Sequence, residues 1–466
     1  MAPPSMAVRL FCEFVGTFVL MFSVGCTVSL GIPFAGGAVY ALVICFGTYA
    51  LGRFSGANFN PAASIALGLS RLMGGPGLRP GAMAAYVCVQ LVAGVLAARA
   101  FTTVIGFTFY YGPLNGELEL PSALLVEFLF TCMYVFLVLN VGVARNSSPS
   151  VGYGLVMGFA TLSGVYSTGG ISGGCLNPAL AIGLDLGGND FQIFFSPQYA
   201  AAEILGALVA LLLFRVLRPE DFGGPRGGIV AQCTSEFVGS FFFVLSIGTA
   251  VELALGMAIL QMSPMAPIVI MSAIATMSIA LFRVSGARLN SAITIAFTAS
   301  GYAQLSLLRT LTFICAQCVG GAIAGLTFSV IFGGGYWPLV PTSAYLEAFA
   351  AEFCVVSILC YVILSRSMAK TSTGLAIAMG VGLPIGAMTL GSLSGGMMNP
   401  AATLGAFVAE AYANGFSYRG FEDMAVLVTA EVLGSFSAAR LYSYTNPPEL
   451  PPTAQAQIKL RRDDVA

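Results

Sequence analysis

The sequence predicts an all-α membrane protein. It should hold twelve transmembrane helices plus four re-entrant half-helices, arranged as two bundles of two inverted three-helix repeats. Three observations predict this fold. The 466-residue chain is 57% hydrophobic and only 8% charged, against about 25% charged residues in soluble domains. Twelve apolar stretches approach the roughly 20 residues that span a bilayer. One short pattern also recurs four times at a near-constant period, which fixes architecture before any detail.

The twelve stretches lie near Leu10–Leu30, Phe34–Leu51, Ala82–Phe101, Ala123–Val143, Val151–Ser167, Tyr199–Leu217, Val230–Gly248, Pro267–Leu281, Leu307–Ile331, Tyr345–Leu364, Gly374–Leu390 and Ala425–Leu441. The first is too long for a cleavable signal and is expected to be a retained span. With the N-terminus cytoplasmic, 17 of the 19 Lys and Arg fall on inner segments and only Arg99 and Arg419 fall outside. The positive-inside rule then puts both ends in the cytoplasm of a multi-pass protein, without saying which membrane holds it.

The recurring pattern is Ser55-Gly56-Ala57-Asn58-Phe59-Asn60-Pro61-Ala62, Ser172-Gly173-Gly174-Cys175-Leu176-Asn177-Pro178-Ala179, Ser285-Gly286-Ala287-Arg288-Leu289-Asn290-Ser291-Ala292 and Ser394-Gly395-Gly396-Met397-Met398-Asn399-Pro400-Ala401. Asn60, Asn177, Asn290 and Asn399 lie 117, 113 and 109 residues apart. Each copy reads as a loop feeding a helix. Ser-Gly turns the chain, Asn caps the helix, and Pro at the first helical position gives up only an amide that would be unpaired anyway. The apolar run after each Asn is too short to cross a bilayer. The resulting half-helix is tolerated only where its loop is buried in protein or lines a wet cavity.

Each unit also opens with a glutamate inside its first span: Glu13, Glu127, Glu236 and Glu352. A later membrane helix in each unit carries a second polar residue, namely Gln90, Glu203, Gln317 and Glu431. A unit is therefore span, span, half-helix, span. Three spans is an odd number, so successive units insert with opposite polarity and their broken helices meet near the midplane. The stretch Arg218 to Gly228 is the one linker-like segment in the middle. It divides the chain into 1–228 and 229–444, with a Pro-rich and then charged tail at 445–466 expected to be disordered.

Composition excludes several chemistries. There is no His, which removes the usual zinc ligand and the commonest general base. Neither metal nor other cofactor is expected. No catalytic residue stands out, and no extramembrane segment is long enough for a domain, so no enzyme is expected. A net charge of −1 points to no nucleic-acid partner. Cys315 and Cys318 form a CxxC, read as small packing residues on a buried helix face rather than as a redox or metal pair.

Each half resembles a complete member of the major intrinsic proteins, the aquaporins and glycerol facilitators. The resemblance rests on the paired Asn-Pro-Ala boxes with Ser-Gly at a fixed offset, the glutamate opening each repeat, and Gln317-Cys318-Val319-Gly320. The chain is similar to two such channels fused in tandem. The resemblance implies that Asn60-Pro61-Ala62 and Asn177-Pro178-Ala179 face one pore, and Asn290-Ser291-Ala292 and Asn399-Pro400-Ala401 a second. The half-helix N-termini are electropositive. The Asn amides donate to a passing oxygen, and cations meet a barrier. The alternative for these Asn residues is helix capping alone. Ser291 replaces the Pro of the other copies, keeping capping chemistry while losing the fixed backbone angle. The resemblance reads the four glutamates as braces for the dipping loops, with a proton relay as the alternative.

The chain departs from the family where most members carry Arg after the second box; Leu180 and Ala402 stand there. By offset, the remaining constriction residues are Tyr40, Val165 and Gly174 in the first pore and Ile270, Ala387 and Gly396 in the second. The implied function is a passive channel for water with relaxed selectivity, glycerol, urea and ammonia being the further candidate solutes. Arg288, near the inner mouth opposite Asn58 of the first half, has two readings: snorkelling to lipid headgroups, or replacing the lost cation barrier. Cys175 near the outer vestibule is either a mercurial-sensitive thiol or a small packing residue. A secondary transporter and a membrane-organising protein with closed pores are the rival functions. Since a fused pair resembles half of the usual tetramer, a homo-dimer in the lipid bilayer would give four pores.

Overall fold

The computed structural model describes residues 4–113, 119–145, 152–188, 193–256, 265–302, 305–336, 339, 344–365 and 370–446. The first half holds α1 (Met6–Ser29), α2 (Pro33–Ser55), the short α3 (Pro61–Leu72), α4 (Pro80–Ile105), α5 (Leu120–Leu137), α6 (Tyr153–Ser172), the short α7 (Pro178–Gly187) and α8 (Ser196–Leu217). The second repeats the order as α9 (Ile229–Gly256), α10 (Met265–Ser285), the short α11 (Ser291–Ala299), α12 (Leu307–Ile331), α13 (Tyr345–Leu364), α14 (Ser372–Ser394), the short α15 (Pro400–Asn414) and α16 (Tyr418–Thr445). The predicted tail lies outside the described residues beyond Asn446.

Among the described residues, eleven of the twelve long helices are long and apolar enough to cross a membrane. The other, α6, is of spanning length but rich in Gly, Ser and Thr. It packs against α2 and α5 of its own half and against α9 and α10 of the other. Protein surrounds much of it, so it needs less lipid-soluble surface.

The same pairings recur in each half. Helix α1 packs on α4 as α9 does on α12, and α5 on α8 as α13 on α16. The half-helices meet each other, α3 with α7 and α11 with α15. Glycine sets how closely they approach the long helices. A Cβ on Gly94 of α4 would overlap the Ala179 carbonyl oxygen of α7, and one on Gly325 of α12 would overlap that of Gly405 on α15. All eleven cysteines are free thiols. Cys315 is exposed and Cys318 only half-buried, which corrects their assignment to a buried face. Helix α12 turns Cys315 outward, while the Cys318 thiol lies 3.7 Å from Ser291 Oγ, beside the inner face taken by Gly320, Gly321 and Gly325.

The connection between the halves is pinned. Helix α5 ends in a π-helical turn, Val138–Val143, and the side chain of Asn140 there accepts from Arg218 Nε at 2.9 Å. Arg218 also donates through Nη2 to the Ala280 carbonyl of α10 at 3.2 Å. A short 3₁₀ turn, Pro219–Phe222, then leads to α9. We expect Gly325→Ala to lower stability by about 1–3 kcal/mol through overpacking. Gly81→Ala should raise it by up to about 1 kcal/mol, since Ala is the better helix former and nothing lies within 4 Å of the new methyl. Thermal unfolding of the detergent-solubilised chain checks both.

Candidate functional site

The four repeated loops share one unusual backbone. The residue before each Asn is left-handed: Phe59, Leu176, Leu289 and Met398, with φ of 49°, 53°, 52° and 50°. Two positions earlier, Ala57, Gly174, Ala287 and Gly396 are left-handed as well. Non-glycine residues adopt this conformation only when the surroundings impose it. Each Asn then returns to extended backbone and caps its half-helix. Its Oδ1 accepts from the N–H of Ala62, Ala179, Ala292 or Ala401 at 2.9, 3.0, 2.8 and 3.1 Å.

Buried carboxylates impose the strain. Glu13 accepts from the N–H groups of Asn58 (3.1 Å) and Phe59 (2.8 Å) and from Gln90 Nε2 (2.8 Å). Glu236 does the same for Arg288 (3.2 Å), Leu289 (2.8 Å) and Gln317 (2.8 Å). Glu127 accepts from Cys175 N, Leu176 N and Ser172 Oγ at 2.9, 2.7 and 2.6 Å. Glu352 likewise takes Met397 N, Met398 N and Ser394 Oγ at 3.0, 2.8 and 2.6 Å. The peptide bonds are trans, so each C=O opposes the N–H of its own plane. Where these N–H groups turn to the glutamate, the carbonyls turn away from it.

The second polar residue of each unit does not act uniformly. Gln90 and Gln317 donate to the bracing glutamate. Glu203 and Glu431 instead accept from the backbone N–H of Asn177 (2.6 Å) and Asn399 (2.8 Å). These units therefore hold the loop with two carboxylates. Sequence position alone did not separate the two arrangements, although the Gln/Glu alternation was visible.

The opposed loops are tied across the midline by the same Asn side chains. Asn60 Nδ2 donates to the Leu176 carbonyl at 2.8 Å and Asn177 Nδ2 to that of Phe59 at 2.9 Å. In the second half Asn290 donates to Met398 (2.9 Å) and Asn399 to Leu289 (3.2 Å). One amide hydrogen of each Nδ2 remains beyond this bond. Ser291, which stands where the other copies have Pro, uses its retained N–H to donate to Asn399 Oδ1 at 3.2 Å, and its Oγ to reach Gln317 Oε1 at 3.1 Å.

Three of the positions expected to form a constriction lie close together in the first half. Tyr40 donates from its hydroxyl to the Cys175 carbonyl at 3.0 Å, and a Cβ on Gly174 would lie 3.1 Å from Val165 Cγ1. In the second half a Cβ on Gly396 would lie 2.8 Å from Ala387 Cα, while Ile270 is buried on α10. Leu180 and Ala402 are buried against protein. Cys175 is fully buried too, its thiol directed to the Asn177 carbonyl at 3.3 Å. Below the boxes of the first half opens a cavity of about 770 Å³, lined by Ser55, Gly56, Asn58 and Leu67 among others. Replacing Glu127 by Ala would strand the N–H groups of Cys175 and Leu176. At about 1–3 kcal/mol for each unsatisfied donor, the substitution should lower the thermal midpoint of the solubilised protein far more than Cys175→Ala does.

The model of the family described as Major intrinsic protein matches residues 116–228 and again 225–442. A probable aquaporin, AqpM, of Archaeoglobus fulgidus is 31% identical over 252 residues, covering 46% of this chain and 99% of its own. The probable aquaporin NIP7-1 of Arabidopsis thaliana is 32% identical over 213 residues, covering 44% and 74%. The glycerol uptake facilitator protein-like 6 of Lactiplantibacillus plantarum is 28% identical over 221 residues, covering 46% and 99%. The X-ray structure of the aquaglyceroporin from Plasmodium falciparum aligns with 47% of this chain and 98% of its own at 19% identity and a TM-score of 0.42. The chain spans nearly the whole of several relatives with less than half of its own length. It belongs to the major intrinsic protein family, whose members are passive channels rather than enzymes, and carries the family's arrangement in duplicate.

Proposed function

We propose that the chain is a passive channel for water and small neutral solutes with relaxed selectivity. The observation that carries this is the pair of opposed half-helices in each half, cross-tied through Asn60 and Asn177 and through Asn290 and Asn399. Their electropositive tips favour an oxygen and disfavour a cation. The relaxed selectivity follows from the outer constriction. In the first half Tyr40, Val165 and Gly174 bring no cationic donor to the lumen, and the residue following the second box is an apolar, fully buried Leu180. The second half offers Ile270, Ala387, Gly396 and Ala402, again without a charge. We take 1–228 and 229–444 as the two channel units and both termini as cytoplasmic, on the distribution of Lys and Arg.

A dimer of the chain completes four pores. Within the chain, α5 and α6 of the first unit pack on α9, α10 and α12 of the second. The matching faces left over are α1 and α2 at one end and α13 and α14 at the other. They expose Leu42 and Phe46 on α2 and Ile385 and Met388 on α14. A head-to-tail contact of this kind closes into a ring when the rotation permits. Crosslinking in native membranes should yield a mass of two chains, and a chain that stays monomeric at every crosslinker concentration contradicts the dimer.

Proteoliposomes should shrink and reswell in glycerol and urea gradients faster than protein-free vesicles, with monovalent cations excluded. Water permeation with complete exclusion of glycerol and urea would contradict the relaxed filter.

A further inference from the structure

The duplication supplies an internal control. Residues of the first repeat at the inner mouth of the first pore have counterparts in the second, at the same offset from the first box Asn or from the bracing Gln. The cavity of about 770 Å³ under Asn60 is lined by Ser55, Gly56, Asn58 and Leu67. Their counterparts are Ser285, Gly286, Arg288 and Phe297. Asn58 is short and folds back to donate to Ser64 Oγ at 3.2 Å. Arg288 is long, and its guanidinium lies across the positions that frame the first-half cavity. Nη1 donates to the Ser285 carbonyl at 3.1 Å. Nη1 and Nη2 both lie 3.5 Å from where a Cβ on Gly286 would stand. The guanidinium carbon sits 5.2 Å from the centre of the Phe297 ring and 5.6 Å from that of Phe313.

A second exchange shows that this placement is built. In the first half Tyr86 donates its hydroxyl to the Ser55 carbonyl at 2.9 Å. The counterpart of Tyr86 is Phe313, which has no hydroxyl, and Arg288 supplies the missing donor to the equivalent carbonyl of Ser285. The loss at one position and the gain at the other are complementary. Phe297, larger than Leu67, is itself held edge-on by Tyr302 at 5.4 Å, and Tyr302 by Tyr442 of α16 at 6.0 Å. The guanidinium is thus stacked on two rings and tied to a carbonyl, with the whole residue only 8% exposed. A side chain reaching for lipid headgroups would be neither stacked nor buried, so snorkelling does not describe it.

We infer that Arg288 is the residue that closes the cytoplasmic mouth of the second pore, so that the two pores of one chain are unequal and solute flux runs through the first. The inference rests on the channel reading above. A fixed charge at that mouth also keeps cations out of the second pore, where the usual filter Arg is absent. The rings serve two ends. They fill space, and they hold the cation by cation–π attraction.

The test exchanges the two mouths in the full-length chain, reconstituted in liposomes and assayed for glycerol and urea flux. The first-half triple N58R/L67F/Y86F should fall to the protein-free rate. The second-half triple R288N/F297L/F313Y should roughly double the wild-type rate. The chain carrying all six exchanges should return near the wild-type rate, which shows that neither triple acts by unfolding. A first-half triple that keeps about half of the flux would overturn the inference, because the second pore would then already be conducting. A second-half triple that stays at the wild-type rate, in protein that conducts, would overturn it as well. If the wild type and the second-half triple both match empty liposomes, the channel reading itself fails and takes the inference with it.

Discussion

The structure depends on acceptors for backbone N–H groups that cannot reach water. A loop that dips into a bilayer loses its helical hydrogen bonds, and each unpaired donor in hydrocarbon costs several kcal/mol. Here a buried carboxylate stands behind each of the four loops and takes two consecutive N–H groups from it. With those donors satisfied, the left-handed residues before each Asn are tolerated, the half-helix can begin at the midplane, and its tip can face its opposite number. A carboxylate is the suitable acceptor because it offers two oxygens and no competing donor. The flanking Gln or second Glu fixes its orientation or holds the next N–H along. The helices around the loops are then a frame, pressed close by glycines at the contacts between long and short helices.

Much of this was legible in the sequence because it repeats. The period of the Asn residues predicted the architecture, and the resemblance, together with the fourfold recurrence of the glutamates, implied the braces. What stayed hidden was partnership between elements far apart in the chain. Gln90 and Glu203 hold matching places in their units. Although one is an amide and the other a carboxyl, position alone did not say that the first donates to a bracing carboxylate and the second accepts from the Asn of its own unit. The apolar run around Cys315 reads as buried from its composition. A membrane helix is apolar on every side, so composition does not tell its lipid face from its protein face. The Gly- and Ser-rich α6 has the converse property, being weakly apolar yet of spanning length because protein covers it. Arg218 and Asn140, which join the two halves, were invisible for the same reason: their pairing spans 78 residues and a π-helical turn that no periodicity announces.

The two halves have diverged where the frame allows it and agree where it does not. The carboxylates, the capping Asn residues and the cross-ties recur in both. Among the residues that differ beside the boxes, two exchanges are compensated. Ser291 loses the rigid ring of Pro61 but gains an N–H that bonds Asn399 across the midline. Such compensation keeps the donors and acceptors balanced while the side chains around the boxes change. A duplicated channel can in this way keep one fold and give its two passages different properties.

The central claim is that paired half-helix tips flank a lane wide enough for water, at least in the first half. A cryo-EM map of the chain in a lipid nanodisc, resolved finely enough to place water, tests it directly. An ordered oxygen is expected within hydrogen-bonding distance of the Nδ2 atoms of both Asn60 and Asn177, continuous with the cavity beside Asn58. Side chains packed solidly between those two amides, with no solvent reaching either, would contradict it.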